Sequence, residues 1–224
     1  MSFTILSLAT VTEMCSVAVC CEGQVLANDE RLLGAKHAEE LLPMISGVMK
    51  ASGCEFEDLD GVAVAKGPGS FTGTRIGIAA ARGLALAVSK PLLGVNSLQA
   101  LAHGICSNGR PILAVLDAKR GQVYVQIFAP GNSPLSEARV IKPPDVVDLL
   151  SEYQYTVGGT GLDLIRPYLL NSSLKELDLI FDGTEGLPRA TDVALAANCQ
   201  LSTSLANEEV APIYLRPVDV SPSA

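Results

Sequence analysis

The chain has 224 residues, 48% of them hydrophobic, with 24 acidic side chains against 16 basic ones and a net charge of −8. This apolar content suffices for one large domain or two small lobes and excludes a disordered chain; no apolar run reaches the ~18–20 residues that cross a bilayer, and no basic stretch leads into a cleavable apolar segment, so a cytosolic protein without membrane contact is expected. So acidic a chain is a poor grip for phosphates unless its few cations gather in one patch, and any RNA role is expected to run through a partner.

The first predicted elements are strands. Phe3 to Leu8, Cys15 to Cys20 and Gln24 to Ala27 are separated by polar turns at Thr10–Glu13 and Glu22–Gly23, which reads as an antiparallel meander. From Lys36 to Lys50 the period changes, with Leu41, Leu42, Ile45, Val48 and Met49 on one helical face and Gly53 as the stop. Gly61-Val62-Ala63-Val64-Ala65 has the composition of a strand buried on both faces. The turn Gly67-Pro68-Gly69-Ser70 then opens a helix from about Thr72 to Ser89. A strand at Leu92–Val95 precedes a helix capped by Asn96 or Ser97.

The second half starts again in the same manner. Pro111 to Leu116, a turn at Asp117–Gly121 and an alternating strand at Gln122–Phe128 repeat the strand–turn–strand opening of Ile5 to Val19. Pro130 to Pro134 is a surface loop. Helices are predicted near Pro144–Glu152 and Thr191–Cys199, with a glycine-rich turn at Val157–Gly161 and a short apolar segment at Ala211–Arg216. The pattern predicts an α/β protein with mixed sheets flanked by helices and two lobes, residues 1–109 and 110–224, each opened by a hairpin. That layout resembles the actin-like ATPases, in which nucleotide sits between the lobes and each hairpin turn carries an acid for phosphate and metal.

Which residues carry chemistry? Gly67 to Gly77 is neither a Walker loop, lacking Gly-Lys-Ser/Thr, nor a dinucleotide fingerprint, since Thr72 replaces the third glycine. A glycine turn at a helix start still offers N–H groups to an anion, which makes Gly67, Gly69 and Ser70 candidate phosphate contacts, with Asp117 from the second hairpin turn. Gly73, Gly77 and Ala81 recur every fourth residue, and a face of such small side chains lets another backbone come close. Its partner is either the chain's own sheet or a second subunit. The two histidines, His37 and His103, cannot form a helical pair of metal ligands, because Leu41 stands one turn after His37. The six cysteines include no C-x-x-C pair and are expected as small buried thiols in a reducing compartment.

Five stretches together resemble the TsaB (YeaZ) family: Gly67 to Gly77, Thr12 to Ala18, His37 to Pro43, Asp117 to Tyr124 and Pro212 to Arg216. They come in the family's order and span nearly the whole chain. The resemblance implies a two-lobed actin-like subunit that assists its catalytic paralogue TsaD. TsaD places a threonylcarbamoyl group on the adenosine beside the anticodon of tRNAs reading codons that begin with A. The paralogue holds its metal with two histidines one helical turn apart, of which this chain keeps only His37. The family usually carries an acid at the end of the first strand, where this chain has Ala9, and an alanine cannot hold Mg²⁺.

From the resemblance, the N-terminal helices pair with TsaD or with a second copy, and the small ATPase TsaE joins the assembly. The expected interface residues are Phe71, Thr72, Gly73, Ile76, Gly77, Ala80, Ala81 and Leu84, with Leu41 and Ile45 from the preceding helix. No catalytic residue, metal or cofactor is expected in this chain alone; ATP or ADP belongs to the assembled complex, and tRNA is reached indirectly. The alternative is a stand-alone actin-like ATPase, kinase or peptidase relying on Asp117.

Overall fold

The computed structural model describes residues 3–150, 154–170, 178–179, 186–202 and 209–216. The first sheet contains β1 (Thr4–Ala9), β2 (Met14–Cys21), β3 (Gln24–Leu32), β4 (Gly61–Ala65) and β5 (Leu92–Val95), in the order β3-β2-β1-β4-β5. The three N-terminal strands are antiparallel, while β4 runs parallel to β1 and β5 parallel to β4. The second sheet contains β6 (Ile112–Asp117), β7 (Val123–Phe128), β8 (Arg139–Ile141), β9 (Thr156–Gly158) and β10 (Asp178–Leu179). Its order, β10-β9-β6-β7-β8, and its strand directions repeat those of the first sheet. The duplication seen in the sequence is therefore a duplication of topology.

The pleat of β1 divides the core. Leu6 and Leu8 point to one face and pack with α1 (His37–Ser52) and α2 (Phe71–Ala87). Ile5 and Ala9 point to the other, with Ala63, Ala65, Ala196 and Ala197. The alanines let α5 (Ala190–Ser202) lie close to the sheet. α3 (Ser97–Gly104) sends Leu98 and Leu101 against Ile112, Ala114 and Phe128 of the second sheet, and α4 (Leu162–Leu170) covers that sheet's far face. A cut at 109/110 thus separates the strands of the two sheets but not their helices: α3 precedes the cut and packs on the second sheet, while α5 follows it and packs on the first.

Local chemistry explains the element ends. Ser70 caps α2 by accepting from the Gly73 N–H at 3.2 Å, and Asn96 caps α3 by accepting from Leu98 at 2.8 Å. Gly53 closes α1 in the left-handed region. β3 runs on through Asp29, Glu30 and Arg31, beyond the expected Ala27, because an edge strand tolerates charge on its open side. The helix expected near Pro144–Glu152 is a short 3-10 segment, Pro143–Leu149, whose first two residues are proline and lack N–H donors; residues 151–153 lie outside the described ones. β8, only three residues long, and α4, which carries Pro167 inside it, are not distinguished in the sequence.

α2 sits unusually low on the sheet. A Cβ on Gly73 would collide with the Thr10 carbonyl oxygen, and one on Gly77 with Thr10 Oγ1. The Thr10 hydroxyl, itself buried, donates to Gly73 O at 2.8 Å. Gly83, on the outer side of the same helix, meets nothing within 4 Å. Gly77→Ala is therefore expected to cost about 1–3 kcal/mol by overpacking, whereas Gly83→Ala gains about 0.5–1 kcal/mol from helix propensity. Urea unfolding of the two variants beside the parent checks the opposite signs.

Cys15 and Cys20 are buried, Cys21 and Cys54 half-buried, and Cys106 exposed; the side chain of Cys199 lies outside the described ones. Burial, reinforced by nearby carboxylates, pushes Cys15 and Cys20 up to about 11. Only thiolates alkylate readily. In the native protein at pH 8, iodoacetamide is expected to label Cys106 well before Cys15 or Cys20, as read by peptide mass mapping.

Candidate functional site

The two hairpin turns face each other across a cleft of about 350 Å³. Val11, Thr12 and Glu13 from the β1–β2 turn line one side, and Leu116, Asp117, Ala118 and Lys119 from the β6–β7 turn line the other. Glu13 and Asp117, distant in sequence, share one cavity. Ala9 ends β1 inside the apolar core at 1% exposure, so the end of that strand presents no carboxylate to the cleft.

Asp117 is already engaged. Its Oδ1 accepts from the Lys119 N–H at 2.7 Å, and its Oδ2 accepts from Lys119 Nζ at 2.9 Å. The Asp117 N–H donates to Thr160 Oγ1 at 3.1 Å, which ties the turn to the loop after β9. Hydrogen bonding and the charge of Asp117 raise the Lys119 ammonium above its usual range. The lysine is three-quarters exposed, so the pair contributes only up to about 1 kcal/mol of stability. Lys119 and Arg120 both sit in the left-handed region, at φ +59° and +55°. Such backbone costs a non-glycine residue roughly 1–2 kcal/mol, and the Asp117 side chain caps the turn that imposes it.

The glycine loop between β4 and α2 serves close packing. Gly67, at φ +98°, lies under the Ile213 carbonyl oxygen, 2.7 Å from where its Cβ would be. A Cβ on Gly69 would strike Val11 O, and the Ser70 N–H donates to that same oxygen at 2.7 Å. Of the four candidate phosphate contacts, Gly69, Ser70 and Asp117 line the cleft and Gly67 does not. The Ser70 hydroxyl is committed to its helix cap.

The interface residues read from the sequence divide by burial. Gly73, Gly77, Ala81, Leu41 and Ile45 are buried in the chain's own fold and cannot meet a partner. The helical period was right, but the small-residue face is what lets α2 seat on β1. Ile76, Ala80 and Leu84 are half-buried against the core, while Phe71 and Thr72 are exposed. The outward face carries Ala79 and Gly83, four residues apart, with Leu86 at 81% exposure, and Leu42 stands out at 60% on α1. His37 is buried at the first turn of α1, with no bond to its Nε2 among the described residues, and Leu41 one turn on is core. No three His, Cys, Asp or Glu side chains converge as metal ligands among the described residues.

In the sequence, Ala211–Arg216 shows only as a short apolar stretch and part of the family resemblance. As a strap, the segment 209–216 bridges the two lobes beside the cleft. The Ile213 N–H donates to Lys66 O at 2.7 Å, and Arg82 donates to Val210 O at 3.0 Å. Tyr214 accepts from Arg75 Nε at 2.9 Å and stacks against Phe71 with ring centroids 5.3 Å apart. Arg216 reaches the other lobe, donating to Ala118 O, Lys119 O and Gln122 Oε1 at 3.2, 3.3 and 2.6 Å.

A family model described as tRNA N6-adenosine threonylcarbamoyltransferase, TsaD, matches residues 31–215. The tRNA threonylcarbamoyladenosine biosynthesis protein TsaB of Escherichia coli is 36% identical over 95% of this chain and 94% of its own length. The chain belongs to the TsaB family. The Bacillus subtilis TsaB protein is 28% identical over the same shares of both chains. YeaZ from Pseudomonas aeruginosa superposes with a TM-score of 0.82 at 29% identity, covering 95% of this chain and all of that one. The activator of 2-hydroxyisocaproyl-CoA dehydratase from Clostridium difficile, at TM-score 0.52 and 11% identity over 92% of this chain and 98% of that one, shares the fold alone. The fold is thus the two-lobed actin-like one.

Arg216 anchors the strap on the second lobe's turn with three hydrogen bonds. Arg216→Ala removes all three and is expected to cost about 1–3 kcal/mol. Hydrogen exchange should quicken at 118–122 and 209–216 and stay unchanged in α4; uniform quickening would refute a local clamp.

Proposed function

We propose that this chain serves formation of threonylcarbamoyladenosine in tRNA as a non-catalytic subunit that binds and stabilises the catalytic threonylcarbamoyltransferase, its relative. The observation that carries this reading is the state of the hairpin acids. Ala9 is buried where the family usually has an acid, and of the two carboxylates lining the cleft, Glu13 and Asp117, the one on the second hairpin turn, Asp117, is bonded to its own neighbour Lys119. Leu41, one turn after His37, is a core residue and not a metal ligand. Hydrolytic chemistry in the cleft would need a metal or a free carboxylate in line with a bound phosphate. Family membership supplies the pathway, since the relatives are named for threonylcarbamoyladenosine biosynthesis.

The surface best suited to the catalytic partner is the outward side of α2 beside α1. Ala79 and Gly83 leave room for a foreign backbone, and Leu42, Phe71 and Leu86 offer apolar area around them. The same surface can accept a second copy of the chain before the partner arrives. TsaE and ATP or ADP join in the assembled cytoplasmic complex. Glu13 and Asp117 facing one cavity disfavour a polyphosphate there in the isolated chain.

Leu86→Arg and Gly83→Leu should each weaken binding to the catalytic subunit at least tenfold in calorimetric titration, with the thermal stability of the isolated chain not lowered and that of Gly83→Leu raised by the gain in helix propensity. Unchanged affinity in both would refute the surface. ATP turnover by the chain alone, abolished in Asp117→Asn, would refute the non-catalytic reading.

A further inference from the structure

The outward stripe of α2 is not apolar throughout. Arg75 and Arg82 stand on it, both exposed, two turns or about 10 Å apart along the axis, and the helix contains no acid. They mark the edge along which the strap runs. Arg75 Nε donates to the Tyr214 hydroxyl at 2.9 Å, and Arg82 Nη2 donates to Val210 O at 3.0 Å. Ile76, Ala80 and Leu84 turn the opposite edge to the core built with α1. A guanidinium carries more N–H donors than one bond uses, and both bonds go to neutral oxygens. The Arg75 guanidinium also lies 3.8 Å from the centre of the Phe71 ring, another neutral group. Among the described residues no carboxylate pairs with either arginine, the exposed Glu209 beside Val210 included.

We infer that Arg75 and Arg82 take carboxylates of the docked partner and thereby select the catalytic subunit over a second copy of this chain. The inference rests on the proposed α2 surface and adds the chemistry that decides its occupant. The strap's bonds already hold both side chains, so less freedom is lost when an acid arrives. Arginine's flat fork suits a carboxylate, which it can grip with two bonds at once. Ala79 and Gly83 let the partner's backbone come close, which thins the water around the charges and strengthens their attraction. A second copy offers no acid at this edge. Antiparallel α2 helices related by a two-fold axis keep equivalent edges together, so the arginines of both copies would line one edge, with the two Arg82 side chains nearest the axis. Like charges so placed oppose the apolar contact and leave self-pairing the weaker of the two associations.

The test is calorimetric titration of the full chain with the purified catalytic subunit at low and at high salt. Arg82→Gln and Arg75→Gln are each expected to weaken the complex about tenfold at low salt, and to lose less affinity than the parent as salt is raised. Arg139→Gln, which removes an exposed cation on the edge of the second sheet, should stay within about twofold of the parent. Arg75 also touches Phe71 and Tyr214, so Arg82→Gln carries the decision. Two chains of net charge −8 repel in any case, and self-pairing is therefore read in a mixture. Sedimentation equilibrium of the parent with Arg82→Glu should show tighter association than either chain alone. Unchanged affinity in Arg82→Gln, with Leu86→Arg still disruptive, would keep the surface and overturn its charged edge. No loss in either variant would remove the surface and the edge together, and no gain in the mixture would overturn the selection against a second copy.

Discussion

The contact between α2 and the end of β1 sets the rest of the first lobe. Thr10 touches the helix where Gly73 and Gly77 have no side chains, and its hydroxyl bonds to the Gly73 carbonyl oxygen. Any Cβ at either position would lift the helix off the strand. With α2 seated this low, Ser70 and Gly69 press against Val11, which fixes one wall of the cleft. The same seating turns Ala79, Gly83 and Leu86 outward. One steric condition therefore positions both the internal cavity and the external face.

The second organising feature is the exchange of helices between repeats. Each sheet copies the other's topology, yet α3 leaves the first sheet to cover the second and α5 returns to cover the first. The Ala190 N–H donates to Ser16 Oγ at 2.9 Å and anchors that return. The strap repeats the gesture at the cleft, with Ile213 on one lobe and Arg216 on the other. The lobes are thus joined three times, by α3, by α5 and by the strap.

The electrostatics divide the cleft region in two. Glu13 and Asp117 give the interlobe cavity a negative lining, partly offset by Lys119. On the far side of that lysine, a second pocket beside the strap is lined by Arg120 and Arg216 and by the rings of Phe71, Tyr124 and Tyr214. The β6–β7 turn belongs to both, and its left-handed backbone at Lys119 and Arg120 projects their side chains away from the apolar core. Strain at such a turn is tolerated because Asp117 caps it and Arg216 holds its carbonyls.

The sequence by itself determined the strands, most helices, the doubled hairpin opening and the family, because these depend on local period, capping residues and turn chemistry. It located the missing acid at Ala9 and the lone His37, since each is a matter of residue type at one position. Only the tertiary structure decided which side of α2 is buried in the chain's own fold: Gly73, Gly77 and Ala81 have a period that suits a strand beneath and a subunit above equally, and Thr10, 63 residues from Gly73, breaks the tie. The strap was equally hidden. Arg75 meets Tyr214 across 139 residues and Arg216 meets the turn at 118–122 across about a hundred, and no local pattern carries a contact that the folded chain alone creates.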